Sequence, residues 1–140
     1  MINLDNMNRQ HSAIINEVNT IEGEIKKTKD LINVAETALH INRLAGLLKM
    51  HLIEEDKYLY PDLLQCNDQE VKIMAQQYIA EMGDLADAYT RYKTAFHVSS
   101  KIKVDLDLFI NETKQVMDAL KHRMAKEDQQ LYRIIAERKL

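Results

Sequence analysis

Three predicted helices each carry an ionisable residue at a position that should face the protein core. His11, Glu55 and Glu127 continue runs of apolar residues that recur at alternating steps of three and four. His51 precedes Glu55 by four residues, so their side chains project from one face of a helix, one turn apart. Burying ionisable groups without a partner costs several kcal/mol. The pattern therefore indicates a positively charged partner in the core, and a metal ion would meet that need.

The residue types point to a particular class of metal. Imidazole together with carboxylate is the ligand set of non-haem iron, manganese and zinc, with coordination positions left open. If neighbouring helices run antiparallel, a rise of about 1.5 Å per residue puts His11, His51 and Glu127 at similar depths from one end of a bundle. Carboxylates can also bridge two ions, as they do in bundles that hold two irons. A zinc hydrolase with a single ion is disfavoured, because no two histidines are four residues apart.

Four long helices must position these residues. Apolar periodicity begins near Leu4 in the first helix and continues to Ile135 in the fourth. The predicted helix ends are Asp30 as N-cap of the second, Pro61 as its stop, Asn67 with Glu70 opening the third, and Ser99 or Ser100 capping the fourth. Short outer turns require neighbouring helices to run antiparallel. The predicted fold is an all-α, antiparallel up-down-up-down four-helix bundle, a single domain over residues 1–140.

Composition excludes several other classes of protein. Three glycines and one proline in 140 residues are too few for a many-stranded fold. The net charge of −3 gives no support to nucleic-acid binding, and no apolar run approaches the ~18 residues that span a membrane. The first residues lack the basic and apolar regions of a signal peptide, and the single Cys66 cannot form an internal disulfide. We therefore expect a soluble cytoplasmic protein, whose oligomeric state the sequence leaves open.

Two segments resemble the signatures of a known family. The segment from His51 to Pro61, His-Leu-Ile-Glu-Glu-Asp-Lys-Tyr-Leu-Tyr-Pro, closely resembles the first signature of the hemerythrin-like (HHE cation-binding) family. In that signature a His and a Glu four residues later precede Leu-Tyr/Phe-Pro. The segment from His122 to Tyr132 echoes the second signature, and His11 lies where the family places its first-helix histidine. The resemblance covers essentially the whole chain.

The resemblance implies a carboxylate-bridged di-iron centre in the core of a hemerythrin-like bundle. Such a centre would hold two iron ions, with manganese or zinc as alternatives. It would handle dioxygen or nitric oxide as a small-molecule ligand, or handle iron itself. By the same resemblance, His11, His51 and His122 would be terminal ligands, whereas Glu55 and Glu127 would be bridging carboxylates.

The chain departs from the family pattern on its third and fourth helices. The third helix lacks the histidine that the family usually has, so we predict Glu81 as a substitute carboxylate ligand and Tyr78 as an alternative ligand or hydrogen-bond donor. His122 and Glu127 are five residues apart, about 140° around a regular helix, so both can face one site only if a π-bulge lies there. The position four before Glu127 is Arg123, which cannot bind a metal and can instead pair with Glu127.

Two functions are compatible with these observations. With six protein ligands, up to roughly four coordination positions stay free on two octahedral irons, which favours reactivity, sensing or iron handling over reversible oxygen transport. The alternative is a metal-free, degenerate hemerythrin-like bundle that acts as a signalling or interaction module, which the absent third-helix histidine and Arg123 favour. Catalysis and simple binding are both compatible with the first function.

Overall fold

Helices form all the regular secondary structure of residues 2–140, which are the residues that this computed structural model describes. The helices are α1 (Asp5–Ile25), α2 (Val34–Tyr58), α3 (Tyr60–Gln65), α4 (Gln69–Phe96), α5 (Ser99–Val104), α6 (Leu106–Lys126) and α7 (Arg133–Glu137). A 3₁₀ turn, Lys29–Leu31, precedes α2, and a π-helical segment, Glu127–Tyr132, continues directly from α6. The predicted all-α class is confirmed.

The four long helices, α1, α2, α4 and α6, pack side by side. Helix α1 contacts α2 and α6, and α4 contacts the same two helices. The predicted apolar positions of α1 are buried where these contacts form, with Ile14, Val18 and Ile21 fully inaccessible to solvent. Helix periodicity in the sequence therefore identified the buried face correctly. No helix within residues 2–140 has the length and apolar character needed to cross a membrane.

The apolar core consists of two clusters with a polar layer between them. The larger cluster includes, on three long helices, Ile14, Leu48 and Met124. The smaller cluster includes Met7 near the start of α1, Leu59 just after α2, and Leu131 in the π-helical segment. Along the chain, His11, His51 and Glu127 each lie between a member of one cluster and a member of the other, and all three are buried. Apolar side chains therefore pack on both sides of the polar layer along the helices.

Two predicted helix starts were wrong by a few residues. Asp30 lies inside the 3₁₀ turn, and the N-cap of α2 is Asn33, whose side chain accepts a hydrogen bond from the Glu36 backbone amide at 3.0 Å. The N-cap of α4 is Asp68 rather than Asn67. A cap requires a residue outside the helix whose side-chain oxygen reaches an amide of the first turn. Asn33 and Asp68 have the extended backbone that allows this.

The predicted start of the fourth helix and the predicted stop of the second also differ from the structure. Ser99 opens only the short α5, its neighbour Ser100 lies within α5, and α6 begins after Asp105, whose side chain caps it. Helix α2 ends at Tyr58, and the chain re-enters a helix in which Pro61 occupies the first turn. A proline is tolerated there because first-turn amides have no partner within the helix.

Candidate metal centre

Three helical segments deliver the buried polar side chains to one place. His11 lies in the first half of α1, His51 and Glu55 lie near the end of α2, and Glu127 lies where α6 passes into the π-helical segment. The exposed fractions are 4% for His11 and 0% for the other three. These four residues therefore share an environment from which bulk water is excluded.

Three atoms of this group lie within hydrogen-bond distance of one another. Glu127 Oε1 is 2.9 Å from His11 Nε2 and 3.2 Å from His51 Nε2, and the two nitrogens are 3.1 Å apart. Adjacent ligand atoms at about 2.1 Å from one octahedral ion lie about 3.0 Å apart. The spacing therefore fits the donor set of one ion, and the three residues form a group that could hold a metal.

Hydrogen bonds on the outer side of each imidazole orient both rings. His11 Nδ1 donates to Asp128 Oδ1 at 2.8 Å, and His51 Nδ1 donates to Gln10 Oε1 at 2.8 Å. With Nδ1 as the donor, each neutral ring directs the lone pair of Nε2 toward Glu127. When both rings are neutral, two nitrogen lone pairs and a carboxylate oxygen face one another, and either protons on the rings or a metal ion can compensate them.

Glu55 supplies the clearest sign of a missing partner. Its Oε2 accepts a hydrogen bond from the Tyr132 hydroxyl at 3.2 Å, and its Oε1 is 3.4 Å from His51 Nε2. Within the described part of the chain, Glu55 Oε1 is a buried polar atom with no hydrogen-bond partner. Leaving such an atom unpaired costs about 1–3 kcal/mol, and more for a charged group. A metal ion bound beside His51 would satisfy it.

In the metal-free protein, the close approach of these buried groups favours the protonated forms of Glu55 and His11. Burial, then the charge of Glu127, raises the pKa of Glu55 well above its usual range. Burial acts to lower the pKa of His11, but the hydrogen bond and charge of Glu127, with help from Asp128, outweigh it and raise that pKa. Burial also acts to raise the pKa of Glu127, but hydrogen bonds from His11 and His51 prevail, and the pKa is lowered. Protons therefore compete with a metal for these ligand atoms.

Tyr132 is a member of the cluster that the sequence analysis did not identify. Its hydroxyl is 3.1 Å from His11 Nε2 and 3.2 Å from Glu127 Oε1. On a regular helix, residues five apart face different directions, but a π-helix bonds residue i to i+5 and brings them onto one side. The π-helical segment begins at Glu127 and ends at Tyr132, so its geometry accounts for their contact. The sequence signal would have been the five-residue spacing of the two.

The structure does not bring Glu81 or His122 into the cluster. Glu81 is exposed, and its carboxylate accepts from Lys126 Nζ at 2.6 Å and from Arg123 at 3.5 Å. His122 is exposed because α6 stays regular through Lys126, and the inward position belongs to its neighbour Arg123. The π-helical segment lies after Glu127 rather than before it, so it does not turn His122 inward.

Tyr78 is buried but contacts Arg123 rather than the ligand atoms. Its hydroxyl donates to the Lys126 backbone carbonyl and to Gln130 Oε1, both at 3.1 Å. The Arg123 guanidinium lies 4.5 Å from the centre of the Tyr78 ring. Burial raises the pKa of Tyr78 to about 12, so the phenol stays protonated. Tyr78 thus supports the arginine beside the cluster.

Arg123 forms the ion pair with Glu127 that the four-residue spacing predicted. Its Nε donates to Glu127 Oε2 at 2.6 Å, and only 4% of the residue is exposed. A terminal nitrogen donates to the Tyr78 backbone carbonyl at 2.9 Å and to the Tyr60 hydroxyl at 3.3 Å. A charge-assisted bond of this kind is among the stronger hydrogen bonds in proteins.

A surface groove lies beside two members of the cluster, His11 and Tyr132. It has a volume of about 590 Å³ and passes between α1 and the C-terminal segments. Its walls include Asn8, His11, Ser12, Asp128, Tyr132 and Ala136. A small molecule in this groove would lie beside His11 and Tyr132, whereas the side chains of His51, Glu55 and Glu127 have no exposed surface.

Comparison with known families identifies the domain. The family described as hemerythrin HHE cation binding domain matches residues 3–135. The chain belongs to the hemerythrin HHE cation-binding domain family. Family membership implies binding of a metal cation, and the His11, His51 and Glu127 group could hold one. Comparisons with curated proteins and with solved structures returned no significant match.

The outer hydrogen bond to His11 gives a first test of this HHE centre. We expect Asp128→Ala to weaken metal binding by about 10–100-fold, because partners that orient metal-binding histidines contribute on this scale. Chelator competition with zinc(II) or anaerobic iron(II) measures the change. Asp118→Ala is the control, since Asp118 is 73% exposed and only contacts Lys121 at 3.7 Å. Equal affinities for the two variants would contradict an orienting role for Asp128.

Proposed function

We propose that this chain is a non-haem iron protein whose iron is held by His11, His51, Glu55 and Glu127. The observation that supports this best is the convergence of two imidazole Nε2 atoms and a carboxylate oxygen within 3.2 Å of one another. Two histidines and one carboxylate with open positions form a ligand set typical of non-haem iron(II). Glu55 adds a fourth donor, and its Oε1 has no hydrogen-bond partner among residues 2–140. Manganese and zinc are the alternative metals.

We further propose that the protein handles dioxygen, nitric oxide or iron at this centre. A bound iron ion would supply open coordination positions for a diatomic ligand. The groove beside His11 can hold such a molecule next to the centre. In the metal-bound protein the Tyr132 hydroxyl, which otherwise donates to Glu55, would be free to donate a hydrogen bond to it. Burial, then the charges of Glu55 and Glu127, raises the pKa of Tyr132, so the phenol keeps the proton that it donates.

The long helices are best arranged as an antiparallel up-down-up-down bundle around this centre. Early residues of α1 meet late residues of α2, as in the 3.1 Å contact of His11 with His51. Tyr78 in the first half of α4 meets Arg123 near the end of α6. Both pairs support opposite directions for helices that follow each other in the chain.

The second candidate function is a metal-free interaction module, which Arg123 favours. Its guanidinium compensates one oxygen of Glu127 without any metal. It does not reach Glu55 Oε1, however, and it does not separate the two facing nitrogens of His11 and His51. An arginine alone therefore leaves part of the cluster without a cation, so we favour the metal-binding function.

Anaerobic loading with iron(II), followed by nitric oxide, tests this proposal. We expect the wild-type chain to bind iron and its visible spectrum to change when nitric oxide is added. Tyr132→Phe should keep the iron but bind nitric oxide roughly two- to tenfold more weakly, since one hydrogen bond contributes about 0.5–1.5 kcal/mol. Tyr58→Phe, at a residue that is 54% exposed, is the matched control. A chain that takes up no iron would refute the proposal.

A further inference from the structure

The two oxygens of Glu127 face different groups. Oε1 faces the two imidazoles, at 2.9 Å from His11 and 3.2 Å from His51, whereas Oε2 accepts from Arg123 Nε at 2.6 Å. A carboxylate that bridges two metal ions offers one oxygen to each. Here the second oxygen is already bound to a guanidinium, so a second ion could reach it only by displacing Arg123.

The Arg123 guanidinium is held in place by three other groups. It donates to the Tyr78 backbone carbonyl at 2.9 Å and to the Tyr60 hydroxyl at 3.3 Å, and it lies over the Tyr78 ring. A fourth contact, to Glu81 at 3.5 Å, lies at the surface. Contacts from α3 and α4 therefore fix the planar group on several sides.

The charge balance also leaves no need for a second ion. The carboxylates of Glu55 and Glu127 together balance one divalent cation, and Arg123 adds a further positive charge. A second divalent ion would place uncompensated positive charge within a few ångströms in a space from which water is excluded, where repulsion is strong.

We propose that this centre holds one metal ion, and that the Arg123 guanidinium takes the position and the charge of a second. The inference rests on the proposed metal-binding function and changes the expected content from two ions to one. Arg123 lies four residues before Glu127, as His51 lies four before Glu55. His51 and Glu55 would supply an imidazole and a carboxylate to the metal. Arg123 and Glu127 instead supply a guanidinium cation and a carboxylate.

Metal counting on the intact chain tests this inference. Protein saturated with zinc(II), or with iron(II) without oxygen, is desalted, and bound metal per chain is measured by mass spectrometry. We expect about one ion on the wild type, about one on Arg123→Lys, and a second, weaker ion on Arg123→His, which restores the His-to-Glu spacing of α2. Arg133→His, at an arginine with a 72% exposed side chain, is the control and should still bind one.

The outcomes separate this inference from the proposed function. Two ions on the wild type would overturn the inference and leave the metal-binding function intact. No ion on the wild type would overturn both. A folded Arg123→His chain that still binds one ion would also overturn the inference, because Arg123 would then not be what excludes the second. If Arg123→His fails to fold, the wild-type count alone decides the matter.

Discussion

Replacing Arg123 with methionine should lower the free energy of unfolding of the metal-free protein by about 3–5 kcal/mol. The substitution keeps an unbranched side chain but removes the cation that faces Glu127, whose carboxylate is fully buried. Removing one partner of a buried ion pair leaves the other charge without compensation, which costs far more than losing a pair at the surface. Burial acts to raise the pKa of Glu127, and without Arg123 only the hydrogen bonds from His11 and His51 would oppose it, so the carboxylate would lose much of its compensation.

Urea denaturation of chelator-treated protein, followed by circular dichroism, measures this effect. The control is Arg133→Met, which removes an exposed ion pair with Glu137 at 2.9 Å and should cost no more than about 1 kcal/mol. Adding Glu127→Gln to Arg123→Met should recover part of the loss, because the uncompensated charge is then gone. A cost below about 1 kcal/mol for Arg123→Met would show that Glu127 does not depend on Arg123 to compensate its charge.

His51→Ala should abolish metal binding, with a loss of affinity greater than about 100-fold. Removing a ligand must cost more than removing a partner that orients one, which already costs about 10–100-fold. The stabilisation that metal gives should vanish with it; for the wild type this is about 2.7 kcal/mol when free metal is at 100 times its Kd. Thermal unfolding with and without metal measures both effects.

His40→Ala is the matched control for this experiment. His40 lies on the same helix and pairs with Glu17 at 2.5 Å, with a side chain that is 20% exposed, but it does not touch the cluster. We expect this variant to bind metal like the wild type and to gain the same increase in melting temperature. A His51→Ala protein that behaves in the same way would mean that His51 is not a ligand.

The sequence predicted the helices and their buried faces because apolar periodicity depends on only one regular property, 3.6 residues per turn. It misplaced the helix starts because several capping residues lie close together, as Asp30 and Asn33 do. Only the backbone decides which of them is extended where a helix begins, and that depends on the packing of the turn. Such an error shifts a boundary by a few residues and leaves the buried face unchanged.

For the site, the residues that the structure brings together are those that follow the regular helix repeat. His11, His51 and Glu127 occupy core positions on their own helices, and the structure places their ligand atoms within 3.2 Å. Their role as ligands stays a prediction. The prediction that His122 is a ligand required a departure from regular helix geometry between His122 and Glu127. That departure occurs one turn later and brings Tyr132 to the cluster, which the repeat of a regular helix does not predict.

Glu81 shows that spacing along one helix does not decide where a charged side chain lies. Its spacing allowed it to face inward, but two cations, Lys126 and Arg123, lie beside it on the neighbouring helix and hold its carboxylate at the surface. Charges on a neighbouring helix become visible only when the helices are packed. Hydrogen bonding to Lys126 outweighs burial in lowering the pKa of Glu81, as expected for a carboxylate in a surface ion pair.

The metal content of protein purified from iron-replete cells, measured by mass spectrometry on wild type and His51→Ala side by side, tests the central claim most directly. We predict about one iron ion per wild-type chain and none on the variant. A wild-type chain that carries no metal, and whose melting temperature does not change when iron(II), manganese(II) or zinc(II) is added, would contradict the claim that a cation joins these buried side chains.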